Sequence, residues 1–137
     1  MGLILDSSIL IASERRGQTV SSLLRSIKET TGQTGVAISA ITVIELAHGV
    51  WRADTPERAE KRRIYLQEVY AAIKVEAFTK EMGELAARID AEGKKAGSVI
   101  PFADLQIGVT ALELRHAIAT RNVRHFAMIP GLQITPL

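Results

Sequence analysis

Asp6, Glu45, Asp104 and Asn122 stand out because of where the chain pattern puts them. Asp6 directly follows the apolar run Gly2-Leu3-Ile4-Leu5. Glu45 lies in the first turn of a helix after Val36-Ala37-Ile38, Asp104 in the first turn of a helix opened by Pro101, and Asn122 just after His116–Thr120. In an open parallel sheet, groups just beyond the carboxyl ends of the strands gather on one edge, so all four can meet there. Asp6 and Asp104 also sit in strongly apolar surroundings, LILDSSILI and VIPFADLQIGV, where a lone carboxylate is costly. Two unit charges about 4 Å apart repel by roughly 4 kcal/mol at an effective dielectric of about 20. A cluster of this kind needs a shared proton or a cation. Oxygen-only donors favour Mg2+ or Mn2+ over Zn2+. Such an ion can orient a water, lower its pKa and neutralise charge on a phosphoryl group.

Each residue also has a purely structural use. Asp6 can cap the helix that starts at Ser7. Thr42 and Glu45 have the spacing of a capping box, with Ile41 and Leu46 as its hydrophobic staple. Asp104 suits the positive end of a helix dipole, and Asn122 suits a turn. The combination, rather than any one position, carries the chemical reading.

The elements that must position these groups follow from periodicity and punctuation. Gly2–Leu5 reads as a short buried strand, followed by a helix from Ser7 to about Arg15 that Gly17 closes. A helix over Val20–Thr30, a strand at Val36–Ile38 and a helix from Thr42 to about Trp51 come next. Thr55-Pro56 opens a helix that ends near Ile73, and Val75–Ala77 is a brief strand. Thr79 caps a helix to about Lys95, Phe102–Leu114 is helical, and His116–Thr120 and Leu132–Ile134 are strands. Short apolar strands alternating with helices predict an α/β fold with a mainly parallel sheet. No repeat, linker or low-complexity tract divides the chain, so residues 1–137 are expected to form a single domain.

Composition narrows the function classes. With 137 residues, 47% hydrophobic and 23% charged, the chain can bury a real core. It has no cysteine, which excludes disulfides, a thiolate nucleophile and Cys-based zinc sites and fits a cytoplasmic setting. The amino terminus lacks a basic leader and Asp6 interrupts its apolar run, so neither a signal peptide nor a membrane span is expected. Seventeen basic against 15 acidic residues permit nucleic-acid binding without arguing for it. Arg52, Arg58, Lys61, Arg62 and Arg63 form one basic stretch and Arg115, Arg121 and Arg124 another, although basic helices are often only solvated faces.

The same residues carry a resemblance. ILDSSILIA, AISAITVIELAHGV, IPFADLQIGVTAL and IATRNVRHFAMIPGLQI resemble, in order and across the whole chain, the four motifs of PIN domains. Length and the ATRNVRHF…IPGL ending look most like the VapC-type toxins of bacterial toxin–antitoxin pairs. The resemblance implies a three-layer α/β/α domain with a central twisted sheet, and an endoribonuclease whose metal ligands are Asp6, Glu45 and Asp104. The fourth acidic position falls at Asn122, which adds a carbonyl oxygen but no charge, so one firmly bound Mg2+ or Mn2+ is implied and a second, weaker ion. His125 stands where relatives often carry an acid. It is either an ordinary surface or partly buried histidine or a phosphate contact or pH-sensitive group near the site. Ser7 and Thr120 resemble the small hydroxyl residues lining such pockets. Arg52, Arg63, Arg121 and Arg124 are candidate contacts to the phosphates of an RNA substrate.

A homodimer and silencing by a VapB-like antitoxin are implied too, the antitoxin's carboxyl-terminal segment lying in a groove and placing a basic side chain in the acidic site. The apolar material from Ile41 to Ile73, with Trp51, Tyr65 and Tyr70, is either that interface or plain core. A catalytically impaired PIN-like module that only binds RNA or protein is the competing class, and Asn122 and His125 are what make it conceivable. A receiver domain lacks its adjacent early acids here, and no phosphate-binding glycine loop is present.

Overall fold

The computed structural model describes all 137 residues. Five strands and seven helices follow in the order β1 (Leu3–Leu5), α1 (Ser7–Arg15), α2 (Val20–Thr31), β2 (Val36–Ser39), α3 (Ala40–Trp51), α4 (Pro56–Ala72), β3 (Lys74–Glu76), α5 (Lys80–Lys95), α6 (Phe102–Glu113), β4 (Ala117–Thr120), α7 (Val123–Phe126) and β5 (Ile134–Pro136). The sheet order is β3-β2-β1-β4-β5, and every pairing is parallel. The expected mainly parallel α/β sheet is therefore wholly parallel, and all strand ends that precede a helix lie on one edge. No helix is long and apolar enough to cross a membrane.

Strand alternation divides the core into two. Leu3, Leu5, Ile38, Ala117 and Ala119 face one side, where Ile9, Leu10, Leu23, Ile27 and Val69 of α1, α2 and α4 pack on them. Ile4, Ala37 and Ile118 face the other side, against Met82, Ile89, Leu105, Ile107 and Val109 of α5 and α6. Because side chains alternate with a period of two, a slip of one residue in β1 would exchange the two cores. Register is thus strongly fixed for the strand that delivers Asp6.

The helix starts are local. Thr19, Thr55 and Thr79 each accept a backbone N–H at the head of α2, α4 and α5. The expected Thr42–Glu45 capping box does not form. Helix α3 begins earlier, at Ala40, and Ser39 caps it by accepting from the Ile41 N–H at 3.1 Å. Thr42 is fully buried and its hydroxyl has no partner, and Glu45 is released from any capping duty. The last strand lies two residues later than expected, because Gly131, at φ 78°, extends the turn and Leu132 packs against the second core instead of pairing.

Helix α7 was not legible, since four residues show no period. Its Phe126 is fully buried, and a Cβ on Gly108 of α6 would come within 2.3 Å of Ile129 and 3.4 Å of Phe126. Glycine at 108 therefore allows the segment around α7 to lie close against α6. Gly108→Ala is expected to lower stability by about 1–3 kcal/mol through overpacking, despite alanine's better helix propensity. Urea denaturation checks this; a variant as stable as the parent would show that the contact is slack.

Candidate functional site

Asp6 closes β1 and is only 2% exposed. It holds the N-cap position of α1, but its side chain makes no capping hydrogen bond, so the structural use open to it is not taken up. Its Oδ2 instead accepts from Ser8 Oγ at 2.7 Å and from Thr120 Oγ1 at 2.9 Å. Those hydroxyls in turn accept the backbone N–H groups of Arg121 and Asn122, at 3.1 and 2.8 Å. Two short relays thus carry backbone donors from the end of β4 to the carboxylate at the end of β1, across the point where the strand order reverses.

Ser7 links the next acid. Its Oγ donates to Glu45 Oε2 at 3.1 Å and lies 3.5 Å from Asp6 Oδ1, so one hydroxyl stands between two carboxylates. The other oxygen, Glu45 Oε1, is sealed from solvent with no partner. Asp104, in the first turn of α6, meets His125 Nδ1 at 2.6 Å, and the same ring nitrogen is 2.7 Å from the Asn122 side-chain amide. His125 is partly buried and belongs to the site.

The electrostatics record the convergence. Burial raises the pKa of Glu45, the Ser7 hydroxyl partly offsets this, and the charges of Asp6 and Asp104 raise it further. Burial also raises Asp104, His125 lowers it in part, and Asp6 again raises it. No three His, Asp or Glu side chains yet stand at the spacing of a closed metal cage. Each carboxylate leans on a hydroxyl or imidazole of its own. The donor set still fits a hard divalent ion: the ligands offered are oxygens, one buried oxygen has no partner, and like charges face one another.

Beside Glu45 opens a cleft of about 400 Å³, lined by Leu10, Ile11, Glu14, Leu46 and Leu66 together with Arg15, Arg52 and Arg62. Arg52 thus lines the same cleft as Glu45. Arg63 is not among the lining residues; it pairs with Glu60 on its own helix. Arg121 and Arg124 are exposed at the end of β4 and in α7. Ser8 and Arg15 were not singled out from sequence, because a serine and an arginine on a helix look the same whether they serve a site or solvent. Of the residues considered for an interface, Tyr65 is core at 8% exposure, whereas Trp51 is 86% exposed.

The sequence model of the PIN domain family matches residues 3–132. The chain is 31% identical over 134 residues to the protein named Ribonuclease VapC1 in Rickettsia felis, covering 98% of this chain and 95% of that one. It is 29% identical to Ribonuclease VapC of Rickettsia bellii, with the same coverage. Among solved structures, a chain of VapBC2 from Rickettsia felis bound to a promoter DNA fragment superposes with a TM-score of 0.82 at 20% identity, covering 99% of this chain and 98% of that one. A chain of the DNA-bound VapBC of Salmonella typhimurium gives 0.82 at 22% identity, with the same coverage.

Raised folded-state pKa values mean that the folded protein holds protons the unfolded chain has already released. The contribution of Glu45 and Asp104 to the stability of the metal-free protein is then lost as pH rises from the ordinary carboxylate range through their raised pKa values. Glu45→Gln, which keeps the acceptor for Ser7, is expected to stabilise the metal-free protein at pH 7 by about 1 kcal/mol or less, given solvent screening. The gain should vanish as pH falls below the carboxylate range. Urea titrations in chelator check it, and a destabilised variant would contradict the repulsion.

Proposed function

The chain belongs to the PIN domain family, and from that premise we propose that it is a metal-dependent endoribonuclease, the toxin of a toxin–antitoxin pair. The observation that carries the reading is the Ser7 hydroxyl set between the carboxylates of Glu45 and Asp6, with Asp104 near enough to raise the pKa of Glu45. The names of its relatives, Ribonuclease VapC1 and Ribonuclease VapC, support the substrate class.

Asp6, Glu45 and Asp104 would hold one Mg2+ or Mn2+. Such an ion supplies Lewis acidity: it neutralises charge on a phosphoryl group and makes a nearby water more acidic. The chain's own residues do the rest. Ser8 and Thr120 fix Asp6 so that its orientation does not have to be found at each turnover. Ser7 holds Glu45 Oε2 and leaves Oε1 free. Arg15, Arg52 and Arg62 along the cleft, with exposed Arg121 and Arg124, bind backbone phosphates on either side of the scissile bond. Arg62 also donates to the Gly49 carbonyl at 2.7 Å, which fastens α4 to α3 beside the cleft.

The cleft also suits the partner. Its apolar floor of Leu10, Ile11, Leu46 and Leu66 takes an extended segment of a VapB-like antitoxin, and Glu14 and Glu45 receive a basic side chain from it. Exposed Ile44, Trp51, Val99 and Phe102 offer apolar surface for a second copy of the chain.

Purified protein is expected to cut structured RNA with Mg2+ or Mn2+ and to stop when a chelator is added. Asp6→Asn and Asp104→Asn should each lose at least about 100-fold in rate while keeping the circular dichroism of the parent. An Asp6→Asn protein that cuts at the parent rate contradicts the assignment.

A further inference from the structure

Helix α1 ends in two consecutive arginines that serve different sides of it. Arg15 lines the cleft beside Glu45, whereas Arg16 lines a separate cavity of about 300 Å³ between α1 and α2, which Arg121 reaches from the end of β4. We propose that this cavity is a nucleotide subsite for the RNA strand next to the scissile bond, with a strand phosphate held between Arg16 and Arg121. The identity of the strand rests on the nuclease reading; the cavity and its two unpaired charges stand apart from it.

Position links the cavity to the carboxylates. Its inner end is formed by Ile9, the residue after Ser8, and by Arg121, whose backbone N–H donates to Ser8 Oγ at 3.1 Å. Ser8 Oγ in turn donates to Asp6 Oδ2 at 2.7 Å, so two hydrogen bonds separate the Arg121 backbone from the buried acid. Ile9, Ala12 and Arg16 recur at helical spacing on the face of α1 that borders this cavity, while Leu10, Ile11 and Glu14 face the cleft. From Ile9 to Arg16 the helix rises about 10 Å. The cavity therefore leads away from the carboxylates along the side of α1 opposite the cleft.

Charge makes it a site for an anion. Arg58 and Arg63 are occupied by Asp54 and Glu60, but no acid pairs with Arg16 or Arg121. A neutral group aims Arg16 instead. Its Nη2 donates to Gln18 Oε1 at 3.0 Å, and the same oxygen accepts from the fully buried Ser13 Oγ at 2.9 Å. Gln18 comes back onto α1 through Gly17, at φ 70°, and its backbone N–H reaches the Ser13 carbonyl at 3.0 Å. An amide oxygen orients the guanidinium without neutralising it, which leaves its other N–H donors for a phosphate. Ser26 and Thr30 add hydroxyls beside the edges of Leu23 and Ile27, a mixture suited to a ribose and a base face. The volume lies at the small end of ligand sites, about 300–1,000 Å³. Continuity with the carboxylates favours RNA over an acidic peptide as occupant.

Fluorescence anisotropy of a labelled single-stranded RNA, titrated with the full chain in chelator over a range of salt, tests this. Each phosphate contact to a single strand adds about 0.7 to the slope of log affinity against log salt. Arg16→Ala is expected to lower the slope by about 0.7 and to weaken binding about fivefold at about 0.1 M salt. Ser26→Trp, which fills the cavity and leaves every charge in place, should weaken binding by a similar factor. Arg25→Ala removes an equal charge from exposed α2 surface outside the cavity and should keep the parent affinity. The parent slope in Arg16→Ala overturns the subsite, as does parent affinity in a folded Ser26→Trp or an equal loss in Arg25→Ala. A deca-glutamate peptide that depends on Arg16 while RNA does not overturns it too, in favour of a protein partner. Ser26→Trp decides where Arg16→Ala fails to fold. A parent that cuts RNA while these variants bind it unchanged sinks the subsite alone; a parent that neither binds nor cuts RNA sinks the nuclease reading with it.

Discussion

Gathering three carboxylates at one edge of a parallel sheet sets charges against one another in surroundings that solvate them poorly, and much of the local structure offsets that cost. Asp6 is the centre of it, almost fully buried and met by two hydroxyls that relay backbone N–H groups from the end of β4. These two hydrogen bonds fix the orientation of the Asp6 side chain, which makes no capping bond of its own. Glu45 has less help. One of its oxygens has Ser7 and the other, sealed from solvent, has no hydrogen-bond partner.

The two cores explain how such a site keeps its shape. Leu3 and Leu5 point into one face of the sheet and Ile4 into the other, so β1 is clamped from both sides immediately before Asp6. Strand β4, which supplies Thr120, is buried over its whole length. Functional groups set at the ends of central, doubly covered strands move with the sheet and not with a loop. Glu45 and Asp104 lie outside this frame, carried by α3 and α6, and the close approach that Gly108 permits brings α7 and His125 to Asp104.

The central sheet and Asp6 were legible because an abrupt polar residue after a short apolar run marks the carboxyl end of a buried strand. Glu45 was legible as a position but ambiguous in role, since Thr42 and Glu45 mimic a capping box that the earlier start of α3 rules out. Helix α7 was hidden because a single turn shows no periodicity, and with it went the reason His125 reaches Asp104. Arg63 illustrates the limit on charged residues: its partner Glu60, three residues away on the same helix, occupies it, while Arg15 and Arg62 line the cleft. Spacing alone does not tell a salt-bridged arginine from one free to bind phosphate.

If the proposed site is right, a hard divalent ion joining the carboxylate cluster stabilises the folded chain. Thermal unfolding of the chelator-treated protein, with and without added Mg2+ or Mn2+ at constant ionic strength, tests this most directly. An ion present at about 100 times its Kd should add about 2.7 kcal/mol and raise the Tm by several degrees. The shift should shrink sharply in Asp6→Asn. Superimposable melting curves with and without the ion would contradict the account.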